Sequence, residues 1–397
     1  MIRVGDFPIG PEERRAIEDV LDSGRISEGK YVRKFEFEFA KKIGAEYCVA
    51  VSSGTAALIV GLSALINSGK IKAGTKVITT PITYIATSNA ILLAGLVPVF
   101  VDVDPVTFCI TPEAIEHVLK HATPGEYSLV LPVHLMGFPC DMAGINAVAE
   151  KYGVLVFEDA AQAHGTRIGD KIAGSMSIMA DFSFYIAHNI QVGEMGAVVT
   201  NDRALASLAR SLKANGRACD CNVCTRSEGV CPHAKSGYDP KFTHNYVGYN
   251  FKTMEFQAAL GLLQLERLDD IIQKRQQNVL HLSGELLGLE KYLRLPVHAA
   301  HRDISYLAYP LVLTPQAKLT RPQVQRALEA EGIETRPLFG CIPTQQPSFA
   351  KYKHLYAGKL PNAEYIGENG FYVGCHQYMT KEDVIHIGES IRRVLSV

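Results

Sequence analysis

Apolar and polar positions along the first 200 residues alternate between two rhythms. In PEERRAIEDVL (11–21), Ile17, Val20 and Leu21 share one face behind Pro11, which predicts an amphipathic helix. GTAALIVGLSALINSG (54–69) is apolar almost all round and predicts a buried helix that stops near Gly69. Short runs rich in β-branched residues recur: TKVITT, VPVFVDVD, SLVLPVHLMG, VLVFEDAA, DFSFYI and GAVVTND read as strands. ATSNAILLAG, TPEAIEHVLKHA and DMAGINAVAEKYG read as helices between them, the second with Thr111 as N-cap and Pro112 in its first turn. Alternation of this kind predicts an α/β fold with a mostly parallel central sheet covered on both faces.

After residue 200 the pattern changes. A polar insertion rich in Gly and Cys spans about 215–245, and 253–288 reads as one long helical stretch. YLAYPLVLT then reads as a strand, RPQVQRALEAEG as a helix and KEDVIHIGESIRRVL as the last helix. The expected organisation is a large α/β domain over 1–250 carrying the insertion. Residues 251–397 then supply a linking helix and a smaller α+β domain. A net charge of −1 gives no overall attraction for nucleic acid or anionic membranes. No apolar run reaches the length of a membrane span, and MIRVGDFPIGPEERR lacks a signal-peptide core, so the expected compartment is the cytoplasm.

Three segments offer candidate chemistry. Gly54 and Thr55 stand at a loop-to-helix junction, which suits a phosphate and equally an ordinary Ser/Thr cap. Asp159 ends an apolar strand at its carboxyl end, where ligands of open α/β sheets bind. There it can hold a ring nitrogen protonated or cap a helix. Of nine cysteines, Cys219, Cys221, Cys224 and Cys231 crowd into C-x-C-x2-C-x6-C. In a long chain such crowding points to metal or redox chemistry, and the spacing suits an iron–sulfur cluster or tetrahedral zinc alike.

SSGTAAL (52–58), TPITYIAT (80–87), EDAAQAHG (158–165), SFY with GEMGAVVTND (183–202) and VGYNFKTMEFQAALGLLQLERL (247–268) occur in that order. With these motifs the chain resembles the DegT/DnrJ/EryC1/StrS family of sugar aminotransferases over nearly its whole length. The resemblance implies an aspartate aminotransferase-like fold and a pyridoxal 5'-phosphate site. Backbone groups of Gly54 and Thr55 and the Ser183 hydroxyl are implied to hold the phosphate, with Tyr84 stacked on the ring. Asp159 is implied to pair with the ring nitrogen, and Gln162 to lie near the ring hydroxyl. Asn250 is implied to reach the phosphate of a neighbouring subunit, so a homodimer is expected.

One departure matters. Family aminotransferases carry a Schiff-base lysine after SFY, where this chain has His188, and no lysine occurs between Lys171 and Lys213. Imidazole forms no stable imine but accepts and returns protons near neutral pH. That suits a dehydratase working with pyridoxamine 5'-phosphate. With the cysteine segment, the resemblance narrows to the CDP-6-deoxy-L-threo-D-glycero-4-hexulose-3-dehydrases of ascarylose and lipopolysaccharide pathways. It implies a 2Fe-2S cluster on the four cysteines, with zinc as the alternative. It further implies a nucleotide-linked 4-keto-6-deoxysugar as substrate and single electrons from an NAD(P)H-dependent reductase or a ferredoxin. Three other readings stand beside it: a cluster-free 3-dehydratase that restores its cofactor with glutamate, an ordinary aminotransferase, and a zinc-stapled binding protein without catalysis. His134 reads as a satisfied core residue on a strand and His164 as a local structural partner. His233 and His244 flank the cysteine segment, and Arg336 reads as a paired or solvated side chain or as a nucleotide-phosphate contact.

Overall fold

The computed structural model describes residues 1–219, 231, 239–296 and 303–395. The strands of the first 200 residues are β1 (Tyr47–Val51), β2 (Lys76–Thr79), β3 (Val97–Phe100), β4 (Tyr127–Leu131), β5 (Leu155–Asp159), β6 (Arg167–Ile168), β7 (Lys171–Ile172), β8 (Met179–Ser183) and β9 (Gly196–Thr200). Seven form one sheet in the order β1-β9-β8-β5-β4-β2-β3, while β6 and β7 make a separate hairpin. Within the large sheet β9 runs antiparallel to both neighbours, and the other pairs are parallel.

Side chains on β1 and β9 alternate between two cores, as the period of two in a strand requires. Val49, Val51 and Val198 join the main core, while Cys48, Ala50, Ala197 and Val199 face a second core around Phe35, Phe39 and Phe182. The sheet is therefore covered on both faces. The helix Gly54–Asn67, apolar all round, is buried along most of its length in the main core. It presses close: a Cβ on Gly61 would lie 2.5 Å from the Phe157 ring of β5, so only glycine fits there.

The structure differs from the sequence reading at three places. The helix Lys30–Ile43 was not anticipated, although Val32, Phe35, Phe39, Ala40 and Ile43 bury one face and Gly44 (φ 83°) closes it in a left-handed C-cap. The stretch 253–288 is two helices, Glu255–Glu266 and Leu268–Glu285. Between them Arg267 leaves the α basin (φ −97°, ψ 4°), its guanidinium paired with Glu12 and Glu13. His134 lies just beyond β4 rather than on it, although its N–H still bonds the Asp159 carbonyl at 3.0 Å.

A second sheet contains β10 (Leu293–Arg294), β11 (Tyr309–Leu313), β12 (Thr335–Pro337) and β13 (Gly370–Val373) in the antiparallel order β10-β11-β13-β12. The helices Arg321–Ala330 and Lys381–Leu395 accompany it. The first residues also run beside this part of the chain. Ile2 bridges to Ile333, and Gly5 packs so closely on Ala187 that a Cβ would meet its Cα at 2.9 Å. No described helix is long and apolar enough to cross a membrane.

Candidate active site

The carboxyl ends of β5 and β8 open into a cavity of about 510 Å³. The start of the Gly54–Asn67 helix, the segment Thr83–Thr87, the loop after β8 and residues 336–339 of the second sheet also line it. It brings together Gly54, Thr55, Tyr84, Asp159, Gln162, Ser183 and His188 from four separated stretches of sequence. Lysine is absent from the described residues that line it. Lys213 lies elsewhere, buried, with its Nζ on Glu28 and the Ala50 carbonyl.

One end is built for an anion. Ser53 caps the helix, its Oγ accepting from the Ala56 N–H. The N–H groups of Gly54 and Thr55 head the helix, where no carbonyl of the same helix can satisfy them. Ser183, almost fully buried, stands against this turn, and a Cβ on Gly54 would come within 2.6 Å of its Cβ. A glycine here keeps the helix end and the hydroxyl close enough to share one ligand.

Asp159 terminates β5, buried, and accepts from Thr87 Oγ1 at 2.8 Å and from the Ala161 N–H at 3.2 Å. Burial pushes its carboxyl up, while these bonds favour the charged form. Lone pairs remain for a ring N–H. Gln162 Oε1 accepts from the Met136 N–H at 2.8 Å, which fixes the amide orientation and leaves Nε2 as a donor. Tyr84 sits at the rim, 61% exposed, with its ring 6.2 Å from that of Phe339. Beneath, Glu158 accepts from His134 Nε2, the Gly174 and Met176 N–H groups and Ser177 Oγ. Burial drives its carboxyl up, but those donors outweigh burial and hold it below the ordinary range. His134 is thus a satisfied core residue, as expected.

His188 is half-buried on the loop after β8. Its Nδ1 lies 3.3 Å from the Tyr185 carbonyl oxygen. A carbonyl only accepts, so Nδ1 carries the hydrogen and Nε2 keeps its lone pair. Burial pushes the imidazole down to about 4, the Tyr185 carbonyl opposes this, and the charges of Arg275 and Arg336 add to the lowering. The side chain is therefore a neutral base over the physiological range. Fully buried Arg275 reaches the His188 carbonyl at 3.4 Å and the Tyr306 and Leu307 carbonyls at 3.1 and 2.8 Å, which ties this loop to the second sheet. His164 stacks on Phe182 and Phe184 and meets the His188 ring edge-on at 6.1 Å. It is a wall behind His188, in line with the structural role expected of it.

Other sequence-derived candidates lie outside the cavity or outside the described residues. Asn250 is exposed, bonded to Lys252 Nζ, and does not line the cavity of its own chain. Cys219 and Cys231 are half-buried, whereas Cys221, Cys224 and His233 lie outside the described residues. His244 is exposed and meets the Asn215 carbonyl. Arg336 lines the cavity and pairs with Glu334 at 2.8 Å. Sequence reasoning missed Thr87, Asp181, Tyr185, Phe339 and Tyr372 as cavity residues. Only Asp181 carried a usable signal: a charge inside an apolar run, two residues before Ser183 and so on its face.

A seven-stranded sheet with one antiparallel strand, a phosphate-type helix end and a buried aspartate under the same cavity define an aspartate aminotransferase-like fold. Solved structures agree: GDP-4-keto-6-deoxymannose-3-dehydratase, in a histidine-to-asparagine mutant with bound GDP-perosamine, superposes with a TM-score of 0.87 at 25% identity, covering 98% of this chain and 100% of that one. The chain belongs to the DegT/DnrJ/EryC1/StrS aminotransferase family, whose model matches residues 8–392. It is similar to dTDP-4-dehydro-2,6-dideoxy-D-glucose 3-dehydratase of Saccharopolyspora spinosa, at 32% identity over 98% of this chain and 86% of that protein. It is similar also to GDP-perosamine synthase of Escherichia coli O157:H7, at 31% identity over 97% and 96%. Relatives of comparable identity thus include both a dehydratase and a synthase of an amino sugar.

Proposed function

We propose that the chain is a pyridoxamine 5'-phosphate-dependent 3-dehydratase of a nucleotide-linked 4-keto-6-deoxyhexose. The observation that carries this reading is His188, neutral and facing a cavity with no lysine among the described residues of its lining. The coenzyme, when bound, supplies an amine for the sugar ketone and a conjugated ring that takes up an electron pair. The chain's own groups do the rest. The Gly54–Thr55 helix end and Ser183 bind the phosphate. Asp159, which accepts from Thr87 and the Ala161 N–H, keeps the ring nitrogen protonated, while Gln162 Nε2 donates to the ring hydroxyl. Nε2 of His188 takes a proton, and the resulting imidazolium hands one to the departing 3-hydroxyl. Tyr84 and Phe339 at the rim exclude water from one face.

The cysteine segment supports the finer reading that a 2Fe-2S cluster feeds single electrons from a reductase or ferredoxin into this step, giving a 3,6-dideoxysugar. Zinc suits the same spacing, and iron and sulfide analysis of anaerobically prepared protein separates them. A homodimer accords with exposed Asn250 and the exposed Phe242 and Val247 nearby in sequence, which would face the partner's site. Cavity-lining Arg336 favours a second reading, in which glutamate rather than a cluster restores the cofactor. The test is incubation with pyridoxamine phosphate and a nucleotide-linked 4-keto-6-deoxyhexose. Loss of the 3-hydroxyl is expected, and formation of a 4-amino sugar through a borohydride-trappable lysine overturns the reading.

A further inference from the structure

Asp181 takes no part in the proposed chemistry, and its surroundings are unusual. It sits in β8 directly beside Asp159 of β5 in the parallel register, so both side chains leave the sheet on the same side. Ser183, two residues on, shares that side, whereas Phe182 points into the core behind the sheet. Asp181 lines the cavity floor yet is 0% exposed, and neither carboxyl oxygen has a hydrogen-bond partner on any other described residue. Buried polar groups are nearly always paired, and an isolated carboxylate in such a place is strongly disfavoured. The group that acts on it electrostatically is Asp159, which disfavours its charge further. In the free chain Asp181 therefore holds its proton.

We propose that Asp181 is a second acidic group of the cofactor site, which together with Asp159 receives the positive charge of a protonated pyridine ring. The inference rests on the proposed coenzyme site and adds a reason for the carboxyl's survival in it. A chain that cannot tether its coenzyme through an amine must hold it by noncovalent contacts alone. When a pyridinium enters over Asp159, the cation offsets the repulsion between the two carboxyls. Asp181 then gives its proton to solvent and stands as a carboxylate facing the ring. Asp181 is a positioning group in this scheme, because Asp159 makes the direct contact. An unsatisfied polar group at a binding site, costly in the free chain and compensated by the ligand, is the usual trade of stability for function.

The test compares wild type, Asp181→Asn and Asp181→Ala as full chains, with pyridoxamine phosphate as probe. Fluorescence titration is expected to show both variants binding at least about tenfold more weakly, the scale of one lost charge–charge attraction in a partly buried site. The ¹⁵N resonance of ring-labelled coenzyme bound to Asp181→Asn is expected to move toward the unprotonated position at alkaline pH, where the wild type stays protonated. Without coenzyme, both variants are expected to melt no lower than wild type, since a buried unpaired carboxyl has been removed. Binding within twofold of wild type, an unmoved ¹⁵N signal or variants that fail to fold each overturn the proposal. If wild type itself does not bind pyridoxamine phosphate, the functional reading fails first and this inference falls with it.

Discussion

His188→Asn is the perturbation that reaches furthest into the chemistry. Asparagine preserves a short polar side chain and removes the basic nitrogen. A positioned general base contributes about 10²–10⁴-fold, so proton exchange at the coenzyme's aminomethyl carbon is expected to fall by that factor. The structure also fixes the pH at which the wild type fails. With its imidazole pushed down to about 4 by burial, His188 is about 90% neutral at pH 5, against about 3% for an ordinary histidine. Washout of deuterium from 4′-deuterated pyridoxamine phosphate in the presence of the nucleotide-linked 4-keto-sugar, followed between pH 4 and 8, measures this directly. The rate is expected to stay near its plateau at pH 5 and to fall only as pH approaches 4. Stability follows the same linkage. The unfolded chain binds a proton on this side chain below about pH 6.5 and the folded chain only below about 4, so folding loses stability as pH falls through that window. Relative to His188→Asn, wild type is expected to lose up to about 3 kcal/mol, less for a ring that is only half-buried. A half-maximal rate near pH 6.5, or an asparagine variant exchanging as fast as wild type, refutes the assignment of His188 as the base.

Further outcomes follow from other parts of the site. Gly54→Ala forces a methyl into the Ser183 side chain at 2.6 Å, and is expected to lower stability by about 1–3 kcal/mol and to weaken phosphate binding measurably in the same titration. Glu158→Gln cannot serve the Gly174 and Met176 N–H groups and Ser177 as an anion does; chemical denaturation should show a loss of about 2–4 kcal/mol, and wild-type stability would contradict the buried network. Cys219→Ser and Cys231→Ser are each expected to reduce bound iron in anaerobically prepared protein without changing pyridoxamine phosphate affinity. Unchanged iron, or zinc in its place, would remove the electron-transfer part of the proposal.

How much of this was legible beforehand depended on whether a signal is local. Asp159, Gln162, Ser183 and His188 each stand inside a compact motif, and the cavity gathers all four. Strand and helix alternation marked the sheet because parallel strands buried on both faces read as continuous apolar runs. The helix Lys30–Ile43 escaped although its buried face repeats at helical spacing, because charged residues alternate densely with its aromatics. The break at Arg267 was invisible, since it depends on Glu12 and Glu13 some 250 residues earlier in the chain. Arg275 and Phe339 act on the site through tertiary packing alone, as do the carbonyls that Arg275 bonds, and no periodicity reports such contacts. The donor to Asp159, Thr87, lay unremarked within the motif TPITYIAT, because its role needs the helix that carries it to fold over β5.

The claim beneath all of these readings is that the cavity breaks a carbon–oxygen bond and transfers no amino group. Mass analysis of the sugar, after single turnover with stoichiometric pyridoxamine phosphate and a chemical reductant under anaerobic conditions, tests it most directly. The account requires a nucleotide sugar lacking one oxygen, with the 4-ketone restored. A sugar carrying nitrogen at carbon 4, with the oxygen at carbon 3 retained, would contradict it.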